Sequence, residues 1–218
     1  MTLKFNIKII ETDSQIRAAM LRALADEVNI TISKSIPFIE NQIKDIVKKA
    51  IINEPEYQSL IGGQLRYELG IPDASSRVNS IIDAWISNIV VINNGVKITN
   101  NGLSGGFSLE MIARDFANVL SMNDANVNDS QRGYSLPWLK WLLLEGGNIL
   151  VKDYSVKFGA SIYSRTGNAI MEDDPGSNWR VPSQFAGTIN NNWITRAIDK
   201  LDDNIYNIFQ TEITRHIP

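Results

Sequence analysis

The chain has 218 residues, 44% of them hydrophobic and 21% charged, which is ordinary usage for one globular domain or two small ones. Its net charge of −3 gives no general electrostatic footprint for nucleic acid or an anionic membrane. Cysteine is absent and His216 is the single histidine, which excludes disulfides, thiol catalysis, cysteine-based zinc sites and multi-histidine metal sites. Composition thus points away from a histidine- or cysteine-dependent enzyme, and we expect no catalytic residues, cofactor, metal or membrane span.

Residues 1–52 are predicted to form an N-terminal helical region. It opens with a short strand at residues 3–9, where apolar residues alternate. Asp13 or Ser14 can cap the helix after this strand. An apolar stripe then recurs at intervals of four residues, at Ile16, Met20, Leu24 and Val28. Pro37 either begins a second helix or kinks one long helix, and the stripe continues beyond it.

Residues 53–218 are predicted to form an α+β body that turns divide into short elements. Asn93-Asn94-Gly95 predicts a tight hairpin turn between two strands, because asparagine and glycine tolerate positive φ. Residues 109–120 fit either a helix or a strand, and we favour a strand because a hairpin precedes them. Pro137 begins a short helix.

The C-terminal part of this body combines an arm with a helix. After strands at 149–151 and 155–158, residues 159–188 are predicted to form a long turn-rich connection, of the kind that is usually functional. A final amphipathic helix is expected over residues 192–213. The predicted fold class is therefore α+β, with a small antiparallel sheet flanked by long N-terminal and C-terminal amphipathic helices.

Two motifs suggest chemistry, and neither has a supporting context. Gly102-Leu103-Ser104-Gly105-Gly106 matches the G-x-S-x-G pattern of serine hydrolases, with His216 following in chain order. A buried strand should run straight into that serine, but Asn100-Asn101 intervenes, so we favour a glycine-rich turn. The acidic run at residues 172–176 lacks the spacing of a calcium-binding loop and is interpreted as a solvated turn.

The tryptophans admit two roles. Trp138 and Trp141 lie three residues apart on the predicted short helix and so share one face. Core packing is the favoured role, and a subunit interface is the alternative because tryptophan is a typical hot-spot residue. Trp179 and Trp193 flank the long connection and are expected to hold it against the body.

Several short segments from residue 60 onward resemble structural proteins of tailed bacteriophages. Two of them are Leu60–Pro72 and Leu136–Gly146. The most telling part runs through Ser164-Arg165-Thr166-Gly167, Trp179-Arg180-Val181-Pro182, Phe185-Ala186-Gly187-Thr188 and Asn192-Trp193-Ile194-Thr195-Arg196-Ala197. An R-T-G turn, a proline-containing loop and a final helix in this order resemble the neck and tail-completion proteins related to that component of lambda-like virions. Residues 1–52 carry no motif of this class.

The resemblance implies a structural protein of the virion neck that acts by assembly. Such a protein would form a closed ring with copies of itself, expected to be a hexamer, and dock between the head connector and the tail terminator or tail tube. It would be assembled in the host cytoplasm and function in the virion, without specific nucleic-acid binding. A tail terminator or baseplate component is the alternative position, and a small serine hydrolase is the alternative from another class. The residues expected at the interfaces are Arg165, Trp179, Arg180, Phe185, Trp193 and Arg196. The alternative is that Trp179 and Trp193 belong to the core and that the arginines bond to local carbonyls or acids.

Overall fold

The computed structural model describes residues 10–100, 102–111, 116–129 and 133–217, so the strand predicted at residues 3–9 lies outside the described residues. The helices are α1 (Asp13–Asn53), α2 (Pro55–Gly62), α3 (Gln64–Glu68), α4 (Ala74–Ser87), α5 (Ala117–Leu120), α6 (Trp138–Leu144), α7 (Trp193–Asp199) and α8 (Asp202–His216). The strands are β1 (Val90–Thr99), β2 (Gly102–Glu110), β3 (Val127–Asp129), β4 (Tyr134–Leu136), β5 (Val151–Phe158) and β6 (Ala169–Trp179). The predicted α+β class, with antiparallel strands between N-terminal and C-terminal helices, is confirmed, although the strands form three small sheets where one was predicted.

Helix α1 continues without interruption through Pro37. The proline removes the hydrogen bond to the carbonyl of Ser33, but both residues are exposed, so water can reach that carbonyl. The N-cap lies one residue before the predicted caps, Asp13 and Ser14. Thr12 is the N-cap, and its backbone N–H donates to the side chain of Gln15 at 2.8 Å in a capping box.

The core forms around the C-terminal half of α1. Four apolar residues of this half, spaced by four, are at most 1% exposed: Ile39, Ile43, Val47 and Ile51. They belong to one cluster with the buried faces of α2, α4, α6 and α7. Because these residues recur every four positions, they form one continuous stripe that the other helices cover.

A polar seam joins α1 to α8. The hydroxyl of Ser35 donates to the carbonyl of Glu212 at 3.1 Å, and Gln42 Nε2 donates to Glu212 Oε1 at 2.7 Å. His216 Nδ1 lies 2.8 Å from the same carbonyl.

Within the described part of the chain, none of the helices combines the length and apolar content that a bilayer crossing needs.

The strands pair as three separate two-stranded antiparallel sheets among the described residues. In the first, β1 runs straight through Asn93-Asn94-Gly95, so the hairpin turn predicted there is wrong. The extra residue Asn94 makes a bulge, where the side chain of Asn93 accepts from Gly95 N at 2.9 Å and Gly95 has φ +69°. Strand pairing continues beyond the bulge to Thr99 and Gly102, next to the second Asn-Asn-Gly sequence.

Sheet β5–β6 corrects the prediction of an irregular connection over residues 159–188. Residues 169–179 form β6, which pairs along β5, so this part of the predicted arm is one side of a hairpin. The acidic run lies within that strand and is not a turn. The pairing shifts after Asp173 because residues 174–177 bulge outward opposite Asp153, whose Oδ1 accepts from Gly176 N at 2.9 Å.

The predicted final helix is two helices, and the ambiguous segment is divided. A break at Lys200-Leu201 separates α7 from α8, with Ile205 N donating back to the carbonyl of Leu201 at 2.8 Å.

Residues 109–120 contain both of the predicted alternatives at different positions, since β2 ends at Glu110 and α5 covers Ala117–Leu120. Residues 112–115 lie outside the described part.

Glu40 connects α1 to the start of β1, and its ionisation is expected to contribute to stability. Its Oε1 lies 2.6 Å from Lys44 Nζ, and its Oε2 accepts from Val91 N at 3.3 Å. The hydrogen bond from Lys44 lowers the pKa of Glu40 and outweighs the opposing effect of burial. A carboxyl pKa that is lower in the folded state stabilises the fold above the unfolded pKa, and this contribution is lost as the pH falls through the folded pKa.

We therefore expect Glu40→Gln to be less stable than the parent chain at neutral pH, and this difference to shrink between about pH 5 and pH 3. Urea unfolding followed by circular dichroism across this range measures it. Glu27→Gln, which changes an exposed carboxylate on the same helix, is the control. A difference between Glu40→Gln and the parent that is constant with pH contradicts the assignment.

Candidate interaction surface

A cleft of about 510 Å³ separates α3 from the β5–β6 hairpin. Its walls carry four aromatic side chains and two charged ones: Tyr67, Trp141, Tyr163, Trp179, Glu68 and Arg165. Two of the residues predicted from the sequence, Arg165 and Trp179, thus line one cleft although fourteen positions separate them. The cleft therefore lies between the hairpin and the helical body that it packs against.

Trp179 anchors the C-terminal end of the hairpin to the body. Its indole is 8% exposed, and Nε1 donates to Glu68 Oε2 at 3.2 Å. Trp141 packs edge-on against it, with ring centroids 6.2 Å apart. The other oxygen of Glu68 accepts from Gln64 Nε2 at 2.5 Å. The predicted role of Trp179 in holding the connection against the body agrees with these contacts.

Arg165 packs against the backbone at the end of α3. Gly70 ends this helix with φ +61°, and Ile71 N donates to the carbonyl of Arg66 at 3.0 Å, which is the pairing of a Schellman motif. A Cβ atom on Gly70 would lie 2.5 Å from Arg165 Nη2. The glycine therefore provides both the left-handed conformation and the space that the guanidinium occupies.

Gly70→Ala is expected to destabilise the fold by about 1–2 kcal/mol, because a side chain is strained at this φ and would collide with Arg165. Thermal unfolding of the variant measures the change. In an Arg165→Ala background the collision is absent, so the same substitution should cost less, with only the conformational strain remaining. An equal cost in both backgrounds would show that the arginine does not occupy this position.

The loop between β5 and β6 carries the most exposed apolar residues of this sheet. Ile162 is 92% exposed and Tyr163 is 82% exposed, and Phe158 at the end of β5 is 56% exposed. We call Ile162 and Tyr163 the hairpin tip. The sequence places them in the predicted arm but does not single them out. The sequence feature that could identify them is a pair of adjacent large apolar residues in an otherwise polar stretch.

The Arg165-Thr166-Gly167 turn shapes this loop. Gly167 has φ +83°, as predicted for a turn glycine. The hydroxyl of Ser164 accepts from Thr166 N and from Ala169 N, both at 3.2 Å. These short-range bonds close the loop on itself and direct the residues before it, including Tyr163, toward solvent.

Trp193 and Arg196 lie at the start of α7, away from the tip. Trp193 is 1% exposed and belongs to the core, which is the alternative role that the sequence leaves open for it. Arg196 forms an ion pair with Glu56 of α2, a carboxylate that is 2% exposed. Asn192 caps the helix by accepting from Ile194 N at 3.1 Å. This cluster fixes α7 on α2.

The remaining two predicted residues, Arg180 and Phe185, lie between these clusters along the chain. Arg180 follows β6 directly and is exposed. Phe185 is half-buried against the core, and its N–H donates to the carbonyl of Pro182 at 2.8 Å in a local turn. The structure thus gathers Arg165 and Trp179 at the cleft, places Trp193 and Arg196 at the helical body, and leaves Arg180 at the surface.

The G-x-S-x-G motif and the acidic run at residues 172–176 both lie within strands. Ser104 is an exposed residue in the middle of β2, paired with Lys97, so the glycine-rich turn predicted at residues 102–106 is wrong. No strand-to-helix elbow is formed there. In the acidic run, Asp174 Oδ2 accepts from Ser177 Oγ at 2.9 Å within the bulge. The part of the chain that the structure describes contains no group of three or more acidic or histidine side chains arranged to hold a metal.

In comparisons with known proteins, no family model, curated protein or solved structure matches the chain. The fold and surface define an α+β protein in which an anchored hairpin presents an apolar tip to solvent. A second exposed apolar stretch lies on the first turns of α1, where Met20 is 67% and Leu24 is 52% exposed. Large exposed apolar side chains that are grouped together are typical of interaction sites.

Proposed function

We propose that the chain is a structural protein of a tailed-bacteriophage virion, placed at the neck between the head connector and the tail. It acts by assembling with copies of itself into a ring, for which a hexamer is the expected state, and by docking onto the neighbouring virion proteins. It carries out no catalysis. Assembly takes place in the host cytoplasm, and the finished protein belongs to the virion.

The observation that carries this proposal is the exposed tip of an anchored hairpin. Ile162 and Tyr163 together present an aliphatic and an aromatic side chain to water, which is costly in an isolated chain and favourable in a contact. The base of the hairpin is held by Trp179 and Glu68, so the tip is positioned before a partner binds. A positioned aromatic anchor is typical of interface hot spots, because little conformational freedom is lost on binding.

The resemblance to neck and tail-completion proteins gives this contact its proposed setting. The segments that carry the resemblance include the turn at Arg165, which follows the tip directly, and the strand end at Trp179, and both line the cleft against α3. A tail terminator or baseplate position would use the same kind of contact with different neighbours. The neighbours captured in the virion therefore distinguish these positions.

Presence in the particle tests the function. Antibody labelling of purified virions, viewed by electron microscopy, should place the chain at the junction of head and tail. Label at the distal end of the tail would favour a baseplate component. A chain that is absent from purified particles overturns the proposal.

A tip variant tests the observation on which the proposal depends. Ile162→Ser combined with Tyr163→Ser should leave the fold intact, since both side chains are exposed, and should prevent incorporation of the chain into particles. Tyr206→Ser changes a tyrosine of α8 that is 66% exposed and serves as the matched control. Normal incorporation of the tip variant would show that the tip is not the contact.

A further inference from the structure

The β1–β2 sheet has one outer edge that bonds to the rest of the chain, and this edge belongs to β1. The side-chain amide of Asn29 accepts from Val96 N at 2.6 Å and donates to the carbonyl of Val96 at 3.1 Å. Further along the strand, Glu40 Oε2 accepts from Val91 N at 3.3 Å. Side chains of α1 thus bond to backbone groups that a neighbouring strand would otherwise bind.

The outer edge of β2 has no such partner. The residues of β2 that pair with Val91 and Val96 also face outward, because two paired residues of antiparallel strands share one bonding pattern. Four positions of β2 therefore direct their N–H and C=O groups away from β1: Leu103, Gly105, Phe107 and Leu109. Among the described residues, none of these groups is bonded to another element. A row of unpaired backbone groups is a template for a further strand.

Helix α8 lies beside this free edge, and its apolar face is only partly covered. Asn29 bonds to β1 and Gln42 bonds to α8, and these two residues lie about 220° apart around α1. The sheet therefore crosses α1 with its β2 side toward α8, where Phe107 stacks on Phe209 with ring centroids 4.4 Å apart. Three apolar residues of α8 recur every four positions and are only half-buried: Ile205, Phe209 and Ile213.

We infer that residues 3–9 of one copy add as an antiparallel strand to the free edge of β2 in the next copy. The contact rests on the proposed assembly function and specifies how adjoining copies join. The apolar residues that alternate in this segment then lie opposite apolar residues of β2, and Ile7 lies opposite Gly105, which has no side chain. The three apolar pairs are Leu3 with Leu109, Phe5 with Phe107, and Ile9 with Leu103.

This register also suits the two faces of the added strand. Its apolar side chains share the face of Phe107 and so cover the half-buried row of α8. Lys4 and Lys8 fall on the opposite face, where Lys4 is diagonal to Glu110, the one carboxylate of β2. A second copy of β2 would match this edge less well, because its glycines and serines offer few cross-strand contacts.

The segment comes from another copy because its own chain is too short for this register. Gly105 lies level with Asn29, since Val96 pairs with the first and bonds to the second. Asn29 follows Asp13 by 16 residues, or about 24 Å along the helix axis. Ile7 precedes Asp13 by only six residues, which extend at most about 22 Å, and the width of β1 adds to the distance. Within one chain, the segment could fill only part of the edge, in a shifted register.

The absence of cysteine allows a direct test by disulfide crosslinking of full-length chains. Lys8 falls opposite Ser104, at a pair without hydrogen bonds, where the two side chains are closest. A mixture of the Lys8→Cys chain and the Ser104→Cys chain should form a crosslinked heterodimer under mild oxidation. Lys97→Cys is the control, because Lys97 is exposed and pairs with Ser104 on β1, one strand further away. It should crosslink weakly with Lys8→Cys.

The outcomes separate this inference from the proposed function. Phe5→Ser with Ile7→Ser should weaken self-association at least about tenfold by native mass spectrometry, while Asn6→Ser, on the other face of the segment, leaves it unchanged. Oligomers that form without the Lys8–Ser104 crosslink overturn the inference and leave the virion function standing. So does a chain with both substitutions that closes the disulfide within itself. Absence of the chain from particles overturns the function even where the crosslink forms.

Discussion

Replacing Trp193 with alanine is expected to lower the free energy of unfolding by about 3–5 kcal/mol, the range for removing a large aromatic side chain from a core. Trp193 is 1% exposed and packs in the same cluster as the α1 stripe. Truncation leaves a cavity that helix α7, fixed at its start by the Asn192 cap, can fill only in part. Urea unfolding at constant pH measures the loss.

Trp193→Phe distinguishes lost packing from a lost hydrogen bond. The indole Nε1 of Trp193 is buried and has no hydrogen-bond partner among the described residues, so phenylalanine removes an unpaired donor as well as volume. We expect this variant to lose only about 1–2 kcal/mol. A phenylalanine variant as unstable as the alanine variant would show that the indole N–H makes a stabilising hydrogen bond in solution.

The second large effect is expected at the ion pair between α7 and α2. Arg196→Met keeps most of the apolar stem but leaves Glu56, which is 2% exposed, without its partner. An unpaired buried carboxylate is costly, and we expect a loss of about 3 kcal/mol. This loss of stability is at the low end of the range for buried ion pairs because the side chain of Arg196 is 32% exposed. Chemical unfolding monitored by tryptophan fluorescence measures it.

Lys200→Met is the matched control. Lys200 pairs with Glu54 at 2.5 Å in the next turn of the same region, but its side chain is 63% exposed. Glu54 is more exposed than Glu56, at 7% against 2%, and solvent reaches the lysine, so the loss should be smaller, at about 1–2 kcal/mol. Adding Glu56→Gln to Arg196→Met should recover part of the stability, since the unpaired charge is then gone. Equal losses for Arg196→Met and Lys200→Met contradict the burial argument.

The sequence predicts helices well where one apolar stripe has one period. The stripe from Ile39 to Ile51 and the short helix after Pro137 are found as expected, since local spacing alone determines which face is buried. Strands are predicted poorly, for a common reason. Asn93-Asn94-Gly95 and the Asp174-Pro175-Gly176 run have the composition of turns, but each is a bulge inside a strand.

Turn-forming residues determine the local backbone conformation, but they do not determine whether the chain reverses its direction there. Gly95 has positive φ in its bulge as it would in a hairpin turn, and only the partner strand β2 determines that β1 continues. That pairing joins residues from either side of the bulge and depends on strand register. A sequence pattern of three residues contains no information on register.

From the sequence, the residues that hold the hairpin against the body are easier to predict than the residues of the hairpin tip. Arg165 and Trp179 are among the predicted interface residues, and both line the cleft between the hairpin and α3. Ile162 and Tyr163 are not, because a pair of apolar residues in a loop is equally consistent with burial under a neighbouring element. Their exposure depends on where the hairpin lies relative to α3, which is a property of the tertiary structure.

The continuity of α1 through Pro37 has a mechanical consequence. The helix spans 41 residues, or about 62 Å, and its hydrogen bonds to the β1–β2 sheet begin at Asn29. The 16 helical residues before Asn29 extend for about 24 Å. A bend of about 10° at Asn29 would carry Met20, about 14 Å away, through about 2 Å. A contact made through Met20 would thus tolerate a small displacement of the surface that it meets, while the packed part of the helix stays in place.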